Sequence, residues 1–408
     1  MMPTNSQWLI VTVKEPVMFH QTADETWLLN PNRRYVFNAN RLEPIQQFID
    51  TTSELDGASQ YIRLTAGRDL SGAKVLVERS RERGIGDLLF LTGPLSFLHH
   101  VSGGRVEIDF MAFADRGVVL THSPLIHNHC VKCGPLEYDH LKMYNYSWLV
   151  NTVTEQDCEG DQLNVYDALF QQLGYNPSDI DARWKRPTAT LVADDFRNLE
   201  QLYKHVWDAR KIDLRHTGYY VVAPFANATL RSLNYGRWLE IIKALSTRRP
   251  VMVVGNSSLR LPDMDMSAGE FSQHVANTGG GVFNAVDSTT IRVLMALIAR
   301  STGLICLDSA PLYMAQAVNT PAISIWGTHA PGVRIGYDKN YMDLAIWRED
   351  ACKFTPCFAF GKFPVNKCPS GIRQTACEVT SAVSVDDVLK RVDMIESANP
   401  VVNKFAAK

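Results

Sequence analysis

The sequence predicts an α/β protein of two consecutive parallel-sheet domains, preceded by a small β-rich appendage. Three observations carry this expectation. The chain has 408 residues, more than one hydrophobic core usually serves. Two stretches alternate short apolar runs with helical patterns, and the loops joining them are rich in Gly, Ser, Asn and Asp.

The first 70 residues supply the appendage. Apolar runs at Trp8 to Val13, Thr26 to Leu29 and Arg34 to Phe37 are separated by turn-forming Asn and Pro, and a short helical pattern follows from Leu42 to Ile49. From residue 71 the pattern changes. Val75 to Val77 leads through Glu78-Arg-Ser-Arg-Glu-Arg-Gly-Ile-Gly-Asp87 into Leu88, Leu89, Leu91, Pro94, Leu95 and Leu98, which reads as strand, glycine loop and helix. Val106 to Phe110 is the next strand, and Val165 to Leu173 is a helix stopped by Gly174 and Pro177. These elements place a first Rossmann-like domain at 71–212. The charged stretch from Asp194 to Arg215 is the expected linker.

The second series occupies 213–385, with a helix and tail at 386–408. Its strands are Tyr219 to Ala223, Val251 to Val254, Gly303 to Leu307 and Ala322 to Trp326, with helices at Trp238 to Leu245, Ser288 to Ala299 and Leu312 to Val318. Strands this short and continuously apolar are covered on both faces, which favours a parallel sheet. Ligands of such sheets sit at the carboxyl ends of the strands.

Composition narrows the function classes. With 46% hydrophobic and 21% charged residues the chain is globular throughout, and Lys plus Arg (41) balance Asp plus Glu (43). That balance argues against a sequence-independent nucleic-acid binder, although a local basic cleft stays open. There is no run of about eighteen apolar residues, and the opening MMPTNSQWLIVTVKEP lacks the marks of a signal peptide, so a cytoplasmic location is expected.

The chemistry concentrates at strand ends. Gly84-Ile85-Gly86-Asp87 opens a helix whose amides can face oxygen atoms, but an Asp there also serves simply as a cap. Leu307-Asp308-Ser309-Ala310-Pro311 lies at a second such junction, where Ser309 and the following amides can bind diphosphate oxygens or merely cap the helix. Ala223 to Ser232 surrounds Arg231 with small and hydroxyl residues, including Asn227 and Thr229, and Trp326 to Pro331 adds Gly327, Thr328 and His329. The last three loops are expected at one end of one sheet.

The order of these motifs resembles the lipopolysaccharide heptosyltransferase family, glycosyltransferase family 9, from about residue 73 to residue 392. The family's Gly-Asp pair with an early helical proline is matched by Gly86, Asp87 and Pro94. Its Asp-Ser-Gly-x-x-His-x-x-x-Ala-x-x-x-Pro run is matched by Asp308, Ser309, Ala317 and Pro321, followed by Gly327 and Thr328. Ala310 replaces the usual glycine, Tyr313 the usual histidine, and Arg231 stands where the family often has lysine.

The resemblance implies a GT-B fold, two Rossmann-like domains around a deep interdomain cleft. The second domain would hold a nucleotide diphosphate sugar through Asn227, Thr229, Arg231, Asp308, Ser309, Ala310, Tyr313, Gly327 and Thr328. Asp87 would be the general base on the acceptor side, beside Arg83, Gly84 and Gly86, and the product would be inverted. Arg231 and the amides near Ser309 would stabilise the departing diphosphate, work that a divalent cation does elsewhere, so no metal and no further cofactor is expected. Arg79, Arg81 and Arg83 could bind an anionic acceptor, or form a solvated loop balanced by Glu78 and Glu82.

The acceptor is expected to be a glycan hydroxyl, with hydroxymethylated pyrimidines in phage DNA as an alternative. A further alternative is a nucleotide-sugar-binding protein without transfer activity, for which the changes at Ala310 and Tyr313 are the argument and Asp87 the counter-argument. Two cysteine groups remain outside this scheme. Cys130 and Cys133, flanked by His127, His129 and His140, have knuckle spacing, whereas Cys352, Cys357, Cys368 and Cys377 are spaced too widely for a zinc ribbon and read as thiols or a local disulfide. Tyr144, Tyr146 and Trp148 are either a stacking platform or strand core.

Overall fold

The computed structural model describes residues 8–22, 25–38, 42–55, 64–79, 84–112, 117–131, 136–150, 163–258, 264–357, 368–371 and 377–398. Five strands build the N-terminal unit: β1 (Trp8–Val13), β2 (Val17–Thr22), β3 (Glu25–Leu29), β4 (Tyr35–Asn38) and β5 (Ile49–Glu54). They form an antiparallel sheet of order β4-β1-β5 and a β2-β3 hairpin. Strand alternation splits the side chains. Val11 and Val13 face the hairpin with Phe19, Leu29 and Phe37, while Ile10 and Val36 face the opposite way.

The first Rossmann-like sheet contains β6 (Lys74–Glu78), β7 (Glu107–Ala112), β8 (Asn128–Val131) and β9 (Tyr146–Leu149), all parallel, in the order β8-β7-β6-β9. Val75 and Val77 pack beneath helix α1 (Ile85–Val101). Leu76, between them, joins Leu149, Leu136 and Tyr138 on the other face, against Ile10, Val36 and Leu55. The backbone seals this junction, with Val36 N donating to Leu136 O at 2.8 Å and Tyr138 N to Arg34 O at 2.9 Å. Leu64 and Leu70 belong to the α1 side of the core.

Helix α2 (Val165–Gln172) follows, then α3 (Ala193–Arg210). The charged stretch expected as a linker is therefore largely helical. Leu199, Tyr203 and Val206 give it a buried stripe, joined in the first turn by the buried Asp195, and most of its other charges lie on the outer face.

The second Rossmann-like sheet comprises β10 (Tyr220–Ala223), β11 (Val251–Gly255), β12 (Val282–Val286), β13 (Gly303–Leu307), β14 (Ala322–Trp326) and β15 (Ala345–Trp347). All are parallel, in the order β12-β11-β10-β13-β14-β15. Numbered from β10 this is 3-2-1-4-5-6, the doubly wound order whose direction reverses between β10 and β13. Around it pack α4 (Tyr235–Ser246), α5 (Ala268–Thr278), α6 (Ile291–Arg300), α7 (Ala310–Ala317), the single turn α8 (Gly332–Ile335) and α9 (Val385–Ala398). α5, α8, β12 and β15 are additional to the elements expected from the sequence. Val388, Val392 and Ile395 of α9 enter the same core as Trp238 and Ile242 of α4.

The two halves touch through specific side chains. Arg292 of α6 reaches Asp195 at the start of α3 (Nε to Oδ1 3.0 Å), Thr190 O (2.7 Å) and Thr121 O in the first half (3.3 Å). Asn164, which caps α2 by accepting from Tyr166 N, also donates to Gly332 O at 2.8 Å.

Candidate functional site

The reversal between β10 and β13 places two of the sequence-predicted loops side by side. The loop after β10 carries Arg231, and the loop after β13 carries Asp308 and Ser309, which leads directly into α7. The β14 loop with Gly327 and Thr328 follows on the same edge. Each strand in this trio is fully buried, so the loop positions are fixed by the sheet.

Asp308 organises the edge. Only 3% exposed, its carboxylate accepts a short hydrogen bond from the Tyr313 hydroxyl one turn along α7, and its Oδ2 lies 3.2 Å from Arg231 Nη2. Arg231 also donates to the Asp308 carbonyl. Burial, then the charge and hydrogen bond of Asp308, push the Tyr313 phenol well above its ordinary range, so it stays protonated and donates. Asp308, expected among the donor-binding residues, thus faces the arginine and the tyrosine, and it sets their positions.

Arg334 of α8 approaches the same carboxylate oxygen to 3.9 Å, with 12% of its side chain exposed. No sequence signal marks it. The run Gly-Val-Arg-Ile-Gly carries no motif, and only the fold brings it to Asp308. Thr328 and His329 are buried beside this cluster, the Thr328 hydroxyl 2.8 Å from His329 Nδ1. Burial lowers the imidazole to about 4, against the opposing pull of Asp308, and His329 is neutral at physiological pH.

Ser309 and Ala310 are half-buried at the start of α7, whose first amides have no partners within the helix, and Asn227 is exposed at the rim. Thr229 is buried next to Leu230, and Gly327 is held tightly, since a side chain there would meet Leu230 O at 2.9 Å.

On the opposing half, Gly84 is the N-cap of α1 and Asp87 lies in its first turn, half-buried. Any side chain on Gly84 would collide with the Asp87 carboxylate. Gly86 packs against the Tyr313 ring, and Phe90 follows at 4.4 Å between ring centroids. The charge of Asp87 contributes to the raised Tyr313 pKa. The structure therefore brings Gly84, Gly86 and Asp87 to the same junction as Asp308, Tyr313 and Arg231. Arg79 is buried at the end of β6, and Arg81 and Arg83 lie outside the described residues.

The other sequence candidates resolve differently. Strand alternation in β8 turns His129 toward Gly117 and Phe110 and Cys130 toward Tyr144 and Asp109, on the opposite face. His127 pairs with Asp109 at 3.2 Å. Cys133 lies outside the described residues. Trp148 is buried core, as the strand reading has it, and the Tyr144 hydroxyl donates to Asp109 at 3.0 Å. The Cys377 thiol is pushed up to about 12 by burial and then by the nearby Cys357 and Cys368, so three of the four late cysteines gather. They gather behind the donor-side loops, with Cys357 N donating to Thr328 O at 3.2 Å. Among the described residues no three His, Cys, Asp or Glu side chains come together as a metal-binding group. Nor, among them, is any helix long and apolar enough to cross a membrane.

The model of glycosyltransferase family 9 (heptosyltransferase) matches residues 145–358, just over half of the chain. No curated protein gave a sequence match. Among solved structures, the chain is similar to a family 9 glycosyltransferase of Veillonella parvula, with 12% identity and a TM-score of 0.54 over 81% of this chain and 99% of that one. It is also similar to the ADP-heptose lipopolysaccharide heptosyltransferase II of E. coli, with 13% identity and a TM-score of 0.55 over 80% and 99%. The iron-containing dodecameric heptosyltransferase TibC, from enterotoxigenic E. coli and solved with ADP-D-β-D-heptose, has 13% identity and a TM-score of 0.55. That match covers 97% of this chain and 93% of TibC, so it extends over the N-terminal unit as well.

Proposed function

The chain belongs to glycosyltransferase family 9, and from that premise we propose that it is an inverting transferase moving a sugar from a nucleoside diphosphate donor to a glycan hydroxyl. The observation that supports this reading is the single junction at which the base-bearing helix α1 meets the Asp308–Arg231 cluster, through Gly86 and Tyr313. Two of the similar structures are named for ADP-heptose or contain it, which makes a nucleoside diphosphate heptose the first donor to try.

In this reading the acceptor oxygen attacks the anomeric carbon from the face opposite the diphosphate. Its proton passes to Asp87, and the bond from the anomeric carbon to the phosphate oxygen breaks with its electron pair staying on oxygen. Arg231 and the first amides of α7 face the negative charge that collects there, from fixed positions that need no reorganisation. Asp308 and Tyr313 hold Arg231 in place. TibC is named as iron-containing; among the described residues of this chain no three His, Cys, Asp or Glu side chains are assembled for a metal.

A thermal-shift series with nucleoside diphosphates and nucleotide sugars, with and without EDTA, tests the donor assignment. A selective stabilisation that survives EDTA and is lost in Arg231→Met is expected. Asp87→Asn should keep that stabilisation while transfer falls by about a hundred- to ten-thousandfold. Full transfer by Asp87→Asn would remove Asp87 as the base.

A further inference from the structure

Two guanidinium groups converge on one buried carboxylate from two different loops. Arg231 comes from the loop after β10 and Arg334 from α8, and their charged nitrogens lie 3.2 and 3.9 Å from Asp308 Oδ2. At 13% and 12% exposure neither is an ordinary solvated arginine. At 3.9 Å the approach of Arg334 Nε to Asp308 Oδ2 is longer than a hydrogen bond, so the carboxylate attracts this arginine by charge.

Arg334 also lies over the Phe90 ring of α1, 5.7 Å from the centroid, one helical turn from Asp87. The turn that carries it is tied to the first half of the molecule by the Asn164 amide on Gly332 O, at 2.8 Å. Arg334 therefore belongs to the donor-side domain by sequence, while its position is set partly by the domain that carries Asp87.

We propose that Arg334 is a second diphosphate-binding arginine, which contacts the phosphate next to the sugar and stabilises the charge left there when the glycosidic bond breaks. The inference rests on the donor-site reading above and adds a residue to it. Arg334 transfers no proton and forms no covalent bond. Its contribution is a fixed positive charge with bidentate geometry, present only when the two halves are apposed as they are here. Asn164 is a positioning residue for it.

The test is calorimetric titration with inorganic pyrophosphate, which carries the diphosphate without any base, and with ADP. Arg334→Met should weaken pyrophosphate binding about ten- to a hundredfold, the loss expected for a charge-assisted hydrogen-bonding partner. Arg334→Lys, which keeps the charge and loses the fork, should fall between Arg334→Met and the wild type. It also serves as the readout if the methionine variant does not fold. Pyrophosphate affinity unchanged in both Arg334 variants, but lost in Arg231→Met, would overturn the role of Arg334 and leave the donor site standing. Affinity unchanged in Arg231→Met as well, or no binding by the wild type, would overturn the donor site together with this inference.

Discussion

Gly86 and Tyr313 meet so closely that a Cβ placed on Gly86 would lie 2.7 Å from Cδ2 of the tyrosine ring. The contact joins the helix that carries the candidate base to the helix that opens on the candidate diphosphate site. Gly86→Ala must therefore displace the Tyr313 ring or the helices that carry the contact. A cost of about 1–3 kcal/mol is expected for such overpacking, read from the denaturant midpoint. In a Tyr313→Ala background the same substitution should cost much less, because the ring it strikes is gone; an equal cost in both backgrounds would disprove the steric account.

The Tyr313 hydroxyl is the donor that one turn of α7 supplies to Asp308. Tyr313→Phe keeps the ring against Gly86 and leaves the buried carboxylate short of a hydrogen bond. A loss of about 1–3 kcal/mol in stability is expected, together with weaker pyrophosphate binding as Asp308, the partner of Arg231, loses the bond that holds it. Titration of the variant with pyrophosphate separates the two effects.

Arg292 and Asp195 form a buried ion pair, and Arg292 also satisfies the carbonyls of Thr190 and Thr121. Arg292→Met strands the carboxylate in a dry site, a change that typically costs about 3–5 kcal/mol. Removing both charges with Asp195→Asn added should recover part of that loss. Chemical denaturation of the single and double variants measures the coupling.

His329 makes stability depend on pH in a defined direction. Its imidazole falls from an ordinary 6.5 to about 4 on folding, so the unfolded chain binds the proton more readily. The contribution of a neutral His329 is complete above pH 6.5 and is lost at about 1.4 kcal/mol per pH unit as pH falls toward 4. Unfolding free energies of the wild type and His329→Gln between pH 7 and 4.5 should diverge in slope over that window. Parallel curves would show that the imidazole takes up its proton alike in the folded and unfolded chain, with no lowering on folding.

Sequence legibility followed the apolar content of each segment. Gly303–Leu307 is a continuous apolar run ending at Asp308, and Ala322–Trp326, between Pro321 and Gly327, is interrupted only by Ser324; both are strands over those same residues. Strand Ile49–Glu54 has one apolar residue in IDTTSE and exists because β1 pairs with it, a cause that local pattern does not contain. Strand Val282–Val286 is broken in the text by Asn284, whose amide bonds to Ser272 on α5. In α3 the stripe Leu199, Tyr203, Val206 has helical spacing, but it is outnumbered by the charges of its outer face. The loops around Arg231, Asp308 and Gly327 were legible because strand ends in parallel sheets converge. Arg334 was not, since its meeting with Asp308 depends on three segments that no local spacing relates.

The β6 strand carries a consequence for how this molecule can be taken apart. Val75 and Val77 face α1, whereas Leu76 faces Ile10, Val36 and Leu55, so one side of a Rossmann-like sheet is roofed by another sheet where a helix would ordinarily lie. A chain begun at residue 64 would open Leu76, Leu149 and Tyr138 to water. It should aggregate or lose its cooperative unfolding transition, and would not yield a smaller working enzyme. The N-terminal unit and the first Rossmann-like half thus share one interior, and a graft or truncation that respects the apparent boundary between them would cut through it.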